Sequence, residues 1–181
     1  MDNGASSYRR FLDGDDEGFV QIVKEYKDGL MLFINGYVGN VYVAEELMQD
    51  CFFKLLTKKP RFTPKHTFKS WLYTIGRNMA LNYIRRKGDT VELNEFIADE
   101  QDVLREYISK ETRLEVLSAL KKLNADYRQV LWLVYFEGFT PSDAAYAMKK
   151  SPRQISNLLY RAKAALKTIL EKEGYIYEEL Y

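Results

Sequence analysis

Thr74, Arg77, Asn78, Arg85 and Arg86 offer the most chemistry in this sequence, and they fall within one short stretch. At 3.6 residues per turn, Thr74, Asn78 and Arg85 share a flank of one helix, with Arg77 beside them. An amide, a hydroxyl and guanidiniums exchange hydrogen bonds and carry positive charge, but they include no nucleophile with a base to activate it. Their chemistry is the recognition of anions and of hydrogen-bonding edges. The stretch 68–87 contains no acid and closes with Arg85, Arg86 and Lys87, so it is suited to lying along a nucleic-acid backbone. An ordinary surface helix with a solvated basic face reads the same way in isolation, and the surroundings must decide.

The rest of the chemical inventory mostly excludes. Cys51 is the only cysteine and His66 the only histidine, too few for an internal disulfide or for a zinc site built from those types. The sequence has no glycine loop that cradles phosphate and no Ser/His/Asp set. The chain therefore reads as a non-enzyme, with no cofactor and no metal. Cys51 occupies an apolar helical position, which predicts a buried thiol. His66 lies in a basic loop, 57–67, where Pro60 and Pro64 exclude a continuous helix. Its two readings are a loop residue near phosphates or bases and a plainly exposed imidazole.

A length of 181 residues with 46% hydrophobic residues allows one medium domain or two small ones. The net charge of +1 conceals a segregation. Residues 1–53 carry ten acids against four bases, and residues 54–87 carry ten bases and no acid. Residues 88–115 return to acid, and residues 116–173 hold ten bases against five acids. Two basic blocks parted by an acidic one predict two places that meet an anionic polymer. No apolar run has transmembrane length and the N-terminus is polar and acidic, so neither membrane insertion nor a signal peptide is expected, and the chain reads as cytoplasmic.

The elements that would position these groups are helical throughout. Residues 1–14 read as loosely structured. Asp15, Asp16 and Glu17 then open a helix, where acids suit the dipole, and Gly36 and Gly39-Asn40 mark a break. A second helix over 43–56 buries Ala44, Leu47, Met48, Cys51 and Leu55 and exposes Glu46, Gln49, Asp50 and Phe53. After the loop, Phe68, Trp71, Leu72, Ile75 and Met79 form the apolar stripe of the basic helix, which Gly88 closes. Residues 89–111 read as a flexible acidic linker. Beyond it come helices over 114–123 and 127–135, then two starts with strong local signals. Thr140 with Pro141 begins a short helix, and Ser151 with Pro152 and Gln154 forms a capping box at the head of a longer one. A short helix, a tight turn and a longer helix make a helix-turn-helix. On the longer helix, Ile155, Leu158, Leu159, Ala162, Leu166 and Ile169 face the core. Arg153, Ser156, Asn157, Tyr160, Arg161, Lys163 and Lys167 lie outside it, as reading a major groove requires. The architecture expected is all-α: two small helical domains, 1–88 and 112–173, joined by the linker 89–111 and followed by a tail, 174–181.

Taken together, these motifs resemble one family, the extracytoplasmic-function (ECF) sigma factors of bacterial RNA polymerase. Residues 44–50 resemble the segment that docks on the polymerase clamp helices. Residues 68–78, followed by Ile84-Arg85-Arg86, are similar to the promoter-reading helix. Residues 117–123, Arg128 and the helix-turn-helix through 160–163 resemble the second sigma domain, which meets the polymerase flap. The resemblance implies that Glu46, Gln49, Asp50 and Phe53 bind core RNA polymerase. It implies that the loop with Phe62, Lys65 and His66, together with Asn78, captures a base flipped out of the minus-ten element of promoter DNA. Thr74, Arg77, Arg85 and Arg86 would hold neighbouring bases or phosphates. Ser156, Asn157, Tyr160 and Arg161 would face the minus-thirty-five element, with Arg128, Lys149, Lys150 and Arg153 on phosphates. The sequence departs from the family at Asn124, where a proline is usual, at Asp143-Ala144 and at Asn82. With no room for a large autoinhibitory region, control by an anti-sigma protein is implied. The alternative, a stand-alone helix-turn-helix regulator of transcription, leaves residues 44–50 and 57–87 without a use.

Overall fold

The acids at 15–17 begin a helix as expected: Asp15 accepts a hydrogen bond from the Glu17 amide and caps α2, Asp16–Val38. In the computed structural model, which describes residues 3–63, 65–88, 116 and 118–174, α2 is the central rod of the first unit. It runs straight through Gly36 and ends only at Gly39, whose φ of 64° is the left-handed turn that favours glycine. The break expected at Gly36 is therefore absent. The helix ladder continues there, and the missing side chain serves packing instead.

Residues 3–12 are not loose. They form α1, Asn3–Leu12, with Gly4, Tyr8 and Phe11 buried. Ten residues with so little propensity would not hold a helix alone; tertiary contact does. Tyr8 packs its ring on Phe68 and Trp71, and its hydroxyl donates to the Pro60 carbonyl at 2.7 Å. Phe11 packs on Phe19. Asn40 caps α3, Val41–Lys58, which buries Ala44, Cys51, Phe52 and Leu55. Thr67 caps α4, Phe68–Lys87, by accepting from the Ser70 amide, and Gly88 follows at φ 69°.

In the second unit a short helical stretch over 118–121 leads to α5, Ala125–Leu131, capped by Asn124. The chain continues as a π-helix over Trp132–Phe136. Then come α6, Pro141–Met148, capped by Thr140, and α7, Pro152–Lys172, headed by the full capping box of Ser151 and Gln154. Among the described residues there is no strand. The expected linker 89–111, Leu114, Leu117 and residues 175–181 lie outside them.

The two units share one apolar core. Burying a large side chain such as Phe33, Phe68 or Leu72 contributes about 1.5–3 kcal/mol. The stripe expected on α4 is wider than its sequence spacing. Trp71 and Met79 are only half-buried, whereas Tyr73, Gly76 and Ala80 are buried. Tyr73 is covered partly from the second unit, where Phe139 meets its ring.

Candidate nucleic-acid interface

The basic helix α4 presents a track rather than a cup. Phe62, from the preceding loop, leans on Trp71 and Phe68. Two turns further along the same flank sits Asn78, about 10 Å away at 1.5 Å rise per residue. Thr74 lies between them; its hydroxyl donates to the Ser70 carbonyl at 2.8 Å, which leaves its lone pairs to accept. Arg85 and Arg86 are exposed at the far end, and Arg85 donates to the Asn82 side chain at 3.0 Å. Arg77 is half-buried beside the Tyr37 hydroxyl. Burial pushes that phenol up to about 12, and the Arg77 charge opposes the shift. The structure thus strings Thr74, Asn78 and the terminal arginines along one helix, with Phe62 of the loop packed at its head.

The loop itself is partly occupied. The His66 imidazole stacks on the Tyr146 ring, with centroids 3.9 Å apart and planes 18° from parallel. Lys65 is exposed.

On α3 the expected docking face is open. Glu46, Gln49 and Asp50 are exposed, as is Phe53 at 64%, with Tyr42 at 63% extending the face. Glu46 and Asp50 also line an open groove of about 430 Å³ between α3 and α4, opposite Asn78, Asn82 and Arg86. Exposed acids of α3 and the amides and terminal arginine of α4 therefore meet along one seam. Cys51 is buried with its Sγ 3.2 Å from the Met79 sulfur, and burial pushes its thiol up to about 12; it is an inert packing residue, as expected.

In the second unit Arg153, Ser156, Asn157, Tyr160 and Arg161 are all exposed on α7, with Tyr160 at 78%. The opposite face of the helix buries Ile155 and Ala162. Lys149 ends α6 in the left-handed region at φ 52° and is exposed. Lys150 pairs with Asp126 at 3.0 Å. Arg128 is differently engaged: it donates to the Gly36 carbonyl of the first unit at 2.9 Å and to the Lys121 carbonyl at 3.3 Å. Tyr135 was not singled out from the sequence, yet it is 56% exposed with the Lys163 ammonium 5.4 Å from its ring centroid. Its place on the π-helix, which no local pattern announces, hid it.

Among the described residues no cluster of His, Cys, Asp or Glu could hold a metal ion, and no helix is long and apolar enough to cross a membrane.

Comparison with known proteins bears on both surfaces. Residues 22–90 match Sigma-70 region 2 and residues 113–166 match Sigma-70, region 4. The chain is 26% identical over 170 residues to the ECF RNA polymerase sigma factor BldN of Streptomyces coelicolor; the match takes in 89% of this chain and 63% of BldN, so the chain spans less than two thirds of that relative. It is 25% identical to the ECF sigma factor SigW of Bacillus subtilis, over 85% of this chain and 89% of SigW. Among solved structures, the sigma factor RpoE of Bartonella quintana, in complex with the anti-sigma factor NepR, superposes with a TM-score of 0.66 at 26% identity, covering 84% of this chain and 96% of RpoE.

Proposed function

This chain belongs to the sigma-70 family as an RNA polymerase sigma factor of ECF type, and from that membership we propose how its two units divide the work. The first unit docks on core polymerase through Glu46, Gln49, Asp50 and Phe53 and reads the minus-ten element along α4. There Asn78 and the loop residues Phe62, Lys65 and His66 take an unstacked base. Thr74, Arg77, Arg85 and Arg86 hold neighbouring bases and phosphates. The second unit reads the minus-thirty-five element with Ser156, Asn157, Tyr160 and Arg161, while Lys149, Lys150 and Arg153 hold phosphates. Arg128 joins them once it has left the Gly36 carbonyl.

The observation that carries this division is the seam between α3 and α4. One helix exposes carboxylates and a phenylalanine; the next carries bases and no acid, and the two line one groove. A duplex-binding regulator has no use for that pairing, whereas a subunit that grips a protein on one side and DNA on the other does. The chain performs no bond chemistry of its own in this scheme, and it works in the cytoplasm, where polymerase is. The structural likeness to a sigma factor held by an anti-sigma factor supports a protein inhibitor as the route of control. Gel filtration with core polymerase tests the scheme: co-elution is expected, and separate elution would contradict it.

A further inference from the structure

Helix α1 carries no group assigned so far, and it lies outside residues 22–90, which match Sigma-70 region 2. It is nonetheless fitted closely to the first unit. A Cβ at Gly4 would sit 2.5 Å from the Tyr26 hydroxyl and 2.6 Å from the Phe68 ring. A Cβ at Gly18, on α2, would run into the Ser7 carbonyl and sit 2.8 Å from the Phe11 nitrogen. Glycine inside a helix is costly relative to alanine, so a glycine at both approaches marks a seat specified for α1. What α1 holds from that seat is the start of the loop before α4. Tyr8 is 1% exposed, and its hydroxyl donates to the Pro60 carbonyl at 2.7 Å. Phe11 lies under the Lys59 ammonium, 4.6 Å from ring centroid to nitrogen. Lys59 itself holds φ at 42°, a left-handed turn that a residue with a side chain adopts only at a cost. The Tyr8 ring rests on Phe68 and Trp71, the same two rings against which Phe62 leans. The loop has little else to fix it: among the described residues, the backbone hydrogen bond inside 60–66 is that from the Lys65 amide to the Thr63 carbonyl.

We propose that Tyr8 is a positioning residue for promoter reading: its hydroxyl, through the Pro60 carbonyl, holds in place the loop whose Phe62 takes the unstacked minus-ten base. The inference rests on the assignment of that loop to base capture. Buried as it is, Tyr8 does not touch the base and acts only through the loop. Its single O–H is the only donor it has, and burial keeps that proton in place up to about pH 12, so the tether persists at neutral pH. A loop that must be ordered at each encounter binds more weakly, because the ordering is subtracted from the affinity. A slack loop also adapts to a wrong base, so loss of the tether lowers discrimination as well as affinity. Phe62 is held twice over, by the Tyr8 bond two residues before it and by the ring shelf that Tyr8 supports.

The test uses the full chain bound to core polymerase, as wild type, Tyr8→Phe and Tyr8→Leu. Tyr8→Phe keeps the ring on Phe68 and Trp71 and removes only the donor, whereas Tyr8→Leu removes the ring as well. The probe is a single-stranded oligonucleotide carrying the minus-ten element of a promoter that the wild-type holoenzyme transcribes, with each base varied in turn. At the position where wild type discriminates most, Tyr8→Phe is expected to lower the ratio of right-base to wrong-base affinity about fivefold, the order of one hydrogen bond. Tyr8→Leu is expected to lower it further. Affinity for core polymerase, and holoenzyme binding to a duplex carrying only the minus-thirty-five element, are expected to stay at wild-type values. A merely structural Tyr8 would shift the urea midpoint and leave the ratio where it was. Backbone relaxation of the free chain reads the tether directly: the Arg61 and Phe62 amides are expected to have order parameters of about 0.85 in wild type and below about 0.6 in Tyr8→Phe. An unchanged ratio in folded Tyr8→Phe would overturn the positioning role. Wild-type order parameters below about 0.6 would overturn the tether even if both variants misfold. A wild-type holoenzyme with no base preference at any position would instead overturn base capture by the loop, and with it any part for Tyr8 in reading, while the relaxation data still report whether the tether exists.

Discussion

In the proposed scheme, Asn78 is the residue on which the reading of the minus-ten element turns. It is half-buried, sits midway along the track and lines the seam with the docking helix. Removing its amide deletes one or two hydrogen bonds, each worth about 1 kcal/mol net. Asn78→Ala is therefore expected to slow promoter opening by the holoenzyme about tenfold, while holoenzyme binding to a duplex carrying only the minus-thirty-five element is unchanged. Equal loss in both assays would remove the flipped-base role. Cys51 makes a contrasting prediction. Its folded thiol is raised from 9.0 to about 12 by burial, as Tyr8 and Tyr37 are raised from 10.0 to about 12. The folded chain thus holds these protons where the unfolded chain releases them. The stability they contribute is complete below about pH 9 and is lost as pH rises toward 12. Urea midpoints are expected to be flat through neutrality and to fall above about pH 9, and a thiol reagent at pH 8 is expected to label Cys51 only after unfolding. Prompt labelling of the native chain would contradict the buried placement.

Among the elements, α3 is the one proposed to carry the protein contact. Asp50 is exposed there beside Glu46, so Asp50→Arg reverses a charge without disturbing the core. It is expected to weaken core polymerase binding about tenfold or more, with unfolding unchanged; wild-type affinity in a binding titration would take Asp50 off the docking face. The elements also show which signals a sequence carries. Thr140 with Pro141 and Ser151 with Gln154 were readable because a helix start is decided within four residues. The apolar and polar faces of α7 were readable because periodicity is local. Helix α1 was not: Tyr8 makes it a helix by packing on Phe68 and Trp71, far along the chain. Gly36 reads as a break because a glycine's local meaning is freedom, yet its role is to clear space for Gln129, 93 positions away by residue number. Arg128 was assigned to phosphate through its resemblance to the second sigma domain, and its bond to Gly36 comes from the same long-range packing.

For the whole molecule, the segregated charge and the two matched regions support one proposal: a protein-docking face and two DNA-reading faces on a single chain. Whether this chain confers promoter choice on core polymerase is decided by transcription in vitro. Core polymerase would be supplied with a genomic promoter library, with and without the chain. The expected transcripts depend on the chain and start a fixed distance downstream of one shared two-part element. Transcripts unaffected by the chain, or starting at no common element, would contradict it.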